Sequence, residues 1–152
     1  MAQVSLTSHS AAETQGIARR LGALLVEGDV VALDGDLGAG KTCFVQGLAE
    51  GLGIAGPVTS PTFILMREHP GSPPLCHADA YRLGSAPELE DLGLQDVLAR
   101  CVLAIEWAQR VEDALPQERV SVLLRRTGED CRQIDIAATA PRLAEALQEA
   151  FS

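Results

Sequence analysis

Apolar positions along the chain switch repeatedly between a spacing of about two and a spacing near 3.6, the periods of strands and helices. Gln3 to Thr7 alternates weakly and predicts an edge strand. Ser10-Ala11-Ala12-Glu13 has the S-x-x-E form of a capping box, which satisfies the free amides at a helix start, and Ile17, Leu21, Leu24 and Leu25 follow at helical spacing. Val30-Val31-Ala32-Leu33-Asp34 is a short apolar run bounded by glycine, the mark of a buried strand. Downstream, Phe44, Leu48 and Leu52 lie on one face of a helix ending near Gly51 and Gly53.

The middle of the chain predicts a hairpin, with strands over Thr62 to Glu68 and Leu75 to Leu83 joined across His69-Pro70-Gly71-Ser72-Pro73-Pro74. Ser85-Ala86-Pro87-Glu88 supplies a second capping box and a proline suited to a first helical turn, ahead of a short acidic helix over Glu88 to Leu92. Cys101 to Ile105 reads as an apolar strand that delivers Glu106 at its carboxyl end. Val120 to Leu124 and Gln133 to Ala137 read as two more strands, and Pro141 opens a last helix with Leu143, Leu147, Ala150 and Phe151 inward. Helices and strands alternating in this way define an α/β chain. No repeat, low-complexity tract or linker divides it, so residues 1–152 read as one domain.

Composition narrows the function. A chain of 152 residues with 47% hydrophobic content can bury roughly 68–70% of its unfolded surface, enough to be stable without disulfides or a structural metal. Cys43, Cys76, Cys101 and Cys131 are scattered, with no C-x-x-C pair, and read as reduced thiols. The amino terminus lacks a basic stretch followed by an apolar run, and Glu27 and Asp29 interrupt the apolar stretch from Leu24 to Leu33. Neither a targeting segment nor a membrane span is expected, and the cytoplasm is the expected location. A formal net charge of −9 repels the phosphate backbone that dominates nucleic-acid affinity, so any contact with RNA is expected to be indirect.

The basic residues carry a further signal. Lys41 is the only lysine among the twelve Lys and Arg residues, and asparagine is absent. Arginine therefore serves wherever a generic cation suffices, yet one position retains a compact ammonium on a flexible stem. A wide planar guanidinium would not fit inside a tight phosphate loop.

Lys41 stands in Gly35-Asp36-Leu37-Gly38-Ala39-Gly40-Lys41-Thr42, which fits the phosphate-loop pattern G-x-x-x-x-G-K-[ST] between a predicted strand and a predicted helix. Gly38, Ala39, Gly40 and Cys43 are candidate phosphate contacts through backbone N–H groups, aided by the positive end of the following helix. Lys41 would reach the β- and γ-phosphates, and Thr42 would coordinate magnesium. The expected fold is P-loop NTPase-like, a central mixed sheet flanked by helices with a β-hairpin insertion, and the expected ligands are ATP and Mg2+. Glu106 takes the position of the acid that such a magnesium site needs. His77, Asp79 and Tyr81 share one face of a strand at period two; Asp79 is a candidate to orient or deprotonate the attacking water, with His77 in support. Ser60 and Thr62, in Ser60-Pro61-Thr62-Phe63 after Gly56-Pro57, could bring a hydroxyl near the γ-phosphate, although the spacing by itself marks only a turn.

Taken together, the phosphate loop, Ser60-Pro61-Thr62-Phe63, His77-Ala78-Asp79-Ala80-Tyr81-Arg82-Leu83 and Ile105-Glu106-Trp107 resemble the TsaE (YjeE) family, small P-loop ATPases of bacterial tRNA threonylcarbamoyladenosine biosynthesis. The resemblance covers about residues 10 to 135. It implies Lys41 on phosphate, Thr42 and Glu106 on magnesium, Asp79 in hydrolysis, and a nucleotide-sensing loop around Ser60 and Thr62. It also implies that Trp107 lies near the nucleotide and that Arg132 touches it. The implied partners are TsaD and TsaB type subunits of a tRNA-modifying complex, which would hold the RNA while ATP turnover resets the assembly. Two departures stand out: Gln109 replaces a frequent glutamate, and Cys43 replaces a second threonine, leaving its backbone N–H for phosphate.

Two other classes compete with a partner-dependent ATPase. A small-molecule kinase of P-loop type would need a lid with several arginines, and only Arg125 and Arg126 are adjacent to each other beyond the first helix. A GTP switch would need an N-K-x-D guanine reader, which a chain without asparagine cannot form.

Overall fold

The computed structural model describes residues 2–36, 38–58 and 65–151. Leu37, Ser60, Thr62 and the first part of the strand expected over 62–68 lie outside the described residues. Along the chain run β1 (Ala2–Ser8), α1 (Ala11–Gly22), β2 (Val30–Gly35), α2 (Lys41–Gly51), β3 (Met66–His69) and β4 (Leu75–Asp79). They are followed by α3 (Ala86–Asp91), α4 (Leu94–Arg100), β5 (Val102–Glu106), β6 (Val120–Arg126), β7 (Arg132–Ala138) and α5 (Pro141–Ala150). The strands form one mixed seven-stranded sheet in the order β1-β7-β6-β2-β5-β4-β3. Pairing is parallel across β6-β2-β5-β4 and antiparallel at both ends.

The apolar runs of β2 and β5 have no polar alternation because both faces of those strands are covered. Val31 and Leu33 of β2, with Val102 and Ala104 of β5, pack with Leu21 of α1, Phe44 and Leu48 of α2, and Leu143 and Leu147 of α5. Val30, Ala32, Leu103 and Ile105 point to the opposite face, against Leu89 of α3, Leu94 and Val97 of α4, and Val111 of a 3-10 segment over Ala108–Ala114.

Local signals act with a one-residue offset. Ser10 Oγ accepts from the Glu13 N–H at 3.0 Å, as a capping box requires. The Glu13 carboxylate instead accepts from the N–H of His9 at 2.5 Å, one residue before the cap. At α3 the Ser85 side chain makes no cap bond, and Glu88 accepts from Gly84 N–H at 3.1 Å. The hairpin forms as β3 and β4, but its second strand stops at Asp79 rather than reaching residue 83. Asp79 Oδ1 accepts from Tyr81 N–H at 2.9 Å, and the chain turns into a 3-10 helix over Ala80–Arg82. Helix α4 has no counterpart in the sequence reading; it is short and begins at Leu94, just after Gly93, whose φ of 94° breaks the helical run.

Helices α1 and α2 cross in backbone contact. A Cβ added to Gly47 would lie 2.4 Å from the Gln15 carbonyl oxygen and 2.6 Å from Ala18 Cβ, and one added to Gly22 would lie 2.4 Å from the Leu48 carbonyl oxygen.

Alanine favours a helix interior over glycine by about 1 kcal/mol, but overpacking a close contact costs about 1–3 kcal/mol. Gly47→Ala is therefore expected to lower the free energy of unfolding in a urea titration. Gly16→Ala, where an added Cβ meets nothing within 4 Å, is expected to raise it by about 0.5–1 kcal/mol.

Candidate functional site

Parallel pairing brings the carboxyl ends of β2, β5 and β4 to one edge of the sheet, where ligand crevices form in α/β folds. Leu33 pairs with Glu106 across β2 and β5, and Glu106 pairs with Asp79 across β5 and β4. The register thus sets Asp79 directly beside Glu106 although 27 positions separate them in the chain.

The loop from β2 to α2 passes through Gly38 at φ 81° and Gly40 at φ 103°, conformations that glycine adopts without a Cβ penalty. Helix α2 begins at Lys41 with no side-chain cap and no acid in its first turn, unlike α1 with its Ser10 cap. Its first amides are thereby left to an external acceptor. Lys41 is only 5% exposed. Its Nζ donates to the carbonyl oxygens of Gly35 at 2.6 Å and Asp36 at 3.0 Å, and lies 4.1 Å from the centre of the Trp107 ring. Burial pulls the Lys41 pKa below its ordinary value, while Glu106, Asp79, Asp34 and Asp36 oppose that shift by favouring the charged form.

Two side chains converge on one oxygen of Glu106. His77 Nε2 lies 2.6 Å from Glu106 Oε2, and Thr42 Oγ1 donates to the same oxygen at 3.3 Å. His77 is fully buried and Glu106 5% exposed. His77 therefore faces the packed interior rather than solvent, with its Nε2 turned toward Glu106. The residue opposite it in the register is Ala104, whose methyl leaves room for the imidazole.

Trp107, directly after β5, takes a left-handed backbone at φ 58°, a conformation costing about 1–2 kcal/mol for a residue other than glycine. The turn swings its ring over Lys41 and against Tyr81, with ring centres 5.1 Å apart. The Arg110 guanidinium lies 5.1 Å from the Tyr81 ring. Asp34, at the end of β2, accepts from Gln109 N–H at 3.1 Å and pins the segment behind the tryptophan. That bond uses the backbone of Gln109, so a side-chain change at 109 does not disturb it.

A cavity of about 420 Å³ opens between these groups, within the usual range for small-molecule sites. Gly38, Gly40, Lys41, Thr42 and Cys43 line one side, and Asp79, Glu106 and Trp107 the other. Leu65, Tyr81 and Arg82 complete the wall; of these, Leu65 and Arg82 were given no role from the sequence, because single residues carry no spacing signal. Ala39 is buried under the loop. Arg132, from β7, reaches the loop from behind: its Nε donates to Ala39 O at 3.0 Å and one terminal nitrogen to Gly38 O at 3.3 Å. It thus braces the loop carbonyls and, with Ala39, Gly40 and Cys43, borders a smaller concavity. Burial raises the Cys43 thiol pKa. Among the described residues no three His, Cys, Asp or Glu side chains form a metal cluster, so a cation here would draw most of its ligands from a bound phosphate and water.

The family model "Threonylcarbamoyl adenosine biosynthesis protein TsaE" matches residues 8–134. The chain is 44% identical over 144 residues to the tRNA threonylcarbamoyladenosine biosynthesis protein TsaE of Bacillus subtilis, covering 93% of this chain and 90% of that one. It is 43% identical to the protein of that name from Streptomyces coelicolor, covering 86% and 93%. For the one from Treponema pallidum the identity is 46%, covering 86% and 97%. The crystal structure of Bacillus subtilis YdiB superposes with a TM-score of 0.83 at 37% identity, covering 97% of this chain and 93% of that one.

A hydrogen bond from a charged donor contributes about 1.5–3 kcal/mol, so Arg132→Ala should speed amide exchange at Gly38 and Gly40 by at least about tenfold. Hydrogen–deuterium exchange resolved by peptide measures this directly. Unchanged protection would show that the loop does not depend on the guanidinium.

Proposed function

Because this chain belongs to the TsaE family of threonylcarbamoyl adenosine biosynthesis proteins, we propose that it is a magnesium-dependent ATPase whose turnover supports N6-threonylcarbamoyladenosine formation in tRNA. It would work with partner subunits of TsaB and TsaD type. The observation that carries the reading is the uncapped start of α2 beside a single buried ammonium and a carboxylate pair, all lining one cavity.

These residues fit a magnesium nucleotide. The first-turn amides of α2 and the positive end of its dipole favour an anion. Lys41, whose ammonium now rests on two backbone carbonyls and an aromatic face, supplies the mobile countercharge. Gly38, Ala39, Gly40 and Cys43 offer backbone N–H groups, and Thr42 and Glu106 would hold the cation. Magnesium bound there would neutralise charge that builds on the phosphates during transfer. Asp79, beside Glu106 at the strand end, would orient or deprotonate water for attack. Ser60 and Thr62 complete the proposal as a nucleotide-sensing loop, and Trp107 as a residue in contact with the nucleotide. Arg132 would act through the loop.

A net charge of −9 fits a protein that leaves RNA to its partners. No helix among the described residues is long and apolar enough to cross a membrane, and the cytoplasm is the proposed location. The kinase reading gains no support: Arg125 is held by Asp135 at 2.6 Å on β6 and β7.

ATP hydrolysis measured alone and with the candidate partner subunits tests the reading. Turnover is expected to be weak alone and to rise on addition of the partners. Asp79→Ala should lower kcat by about 10²–10⁴ fold while the protein still binds nucleotide. Lys41→Ala should abolish ATP binding in calorimetry. Unchanged turnover in both Asp79→Ala and Glu106→Ala would sink the site assignment, and phosphate transfer to a metabolite would favour the kinase.

A further inference from the structure

His77 was expected to support Asp79, yet its ring hydrogen-bonds Glu106. Glu106 Oε2 is an acceptor, so the hydrogen in the 2.6 Å contact belongs to His77 Nε2. His77 Nδ1 is buried without a hydrogen-bond partner among the described residues. A buried polar atom left unsatisfied normally has a reason, and here the ring is committed through its other nitrogen to one carboxylate. The hydroxyl hydrogen of Thr42 is committed to that same Oε2 at 3.3 Å.

Resting on the magnesium reading above, we propose that His77 is a positioning residue for the metal: by donating to Glu106 Oε2 it fixes the carboxylate that takes the Thr42 hydroxyl hydrogen, so that the Thr42 oxygen keeps its lone pairs for the cation. Three elements meet in this relay: β4 supplies His77, β5 supplies Glu106 and the first turn of α2 supplies Thr42. The register seats His77 two residues before Asp79 and opposite Ala104, so the imidazole reaches Glu106 along the sheet. Asp79 itself is left free of the ring; its Oδ1 is engaged by Tyr81 N–H. Metal-site residues held by outer partners in this way lose about 10–100-fold in metal affinity when the partner is removed.

The test separates metal positioning from packing and from phosphate binding. ATP binding is followed by calorimetry in excess chelator and across a magnesium titration, for the wild type and three variants. His77→Gln retains an amide N–H near the position of Nε2; His77→Asn is too short to reach Glu106; His77→Leu fills the space without a donor. Leu and Asn are expected to raise the magnesium concentration at half-maximal enhancement by about tenfold or more, with Gln restoring it to near the wild-type value. Chelator-phase ATP affinity should be the same in all four proteins. If Leu fails to fold in a thermal melt, the Asn and Gln pair decides. The proposal is overturned if Gln behaves like Asn, if neither Leu nor Asn shifts the titration, or if affinity in chelator falls in step. A wild-type protein whose ATP binding ignores magnesium would instead remove the metal reading itself, and this inference with it.

Discussion

The site depends on the parallel register of β2, β5 and β4. A carboxylate such as Glu106 can be aligned with Asp79 on one side and with the end of β2 on the other only because all three strands run the same way. In an antiparallel pairing the strand ends would alternate between edges, and the loop bearing Lys41 would face away from the acids. The parallel arrangement needs helices on both faces to bury it, and α1, α2 and α5 on one side with α3 and α4 on the other meet that need. Fold and site therefore share one constraint.

Within that frame, charge balance does much of the local work. Lys41 is nearly buried, a position that disfavours its charge, yet four carboxylates and two carbonyl oxygens surround it. The Trp107 ring adds a face that attracts cations. The arrangement holds the ammonium close to a cavity without a tight ion pair, since no carboxylate among the described residues hydrogen-bonds it. The strained backbone of Trp107 accompanies this placement, with the residue at φ 58° and its ring over the ammonium. Strain of this kind gathers where function needs a side chain in one place.

How much of this the sequence made legible differs residue by residue. The loop from Gly35 to Thr42, the single lysine and the acid at the end of an apolar strand were readable because their spacing is local: strand, turn and helix start follow within a few residues. The grouping of Asp79 with Glu106 came from a family likeness rather than from spacing, and the strand register supplies its physical basis. The surroundings of His77 could not be read from spacing. Period two places it on the face of Asp79, but whether that face is wet or dry depends on what packs there, and the strand lies second from the sheet edge, between β3 and β5. Helix α4 and the end of β4 were missed for a similar reason: Gly93 and the Asp79 side chain interrupt the periods on which a pattern reading relies.

The amino-acid sequence alone determined the α/β class, the Ser10 cap of the first helix, the glycine-rich loop between strand and helix, and the family, because each rests on neighbours within one or two turns or on a string of short motifs in order. Only the tertiary structure decided that His77 holds Glu106, that Arg132 braces the loop from a strand 93 positions away, and that three glycines, Gly22, Gly47 and Gly51, allow two helices to cross at backbone distance. These are contacts between elements far apart in the chain. Their existence depends on register and crossing geometry, which are properties of the packed sheet and helices and have no periodic trace in the residues themselves.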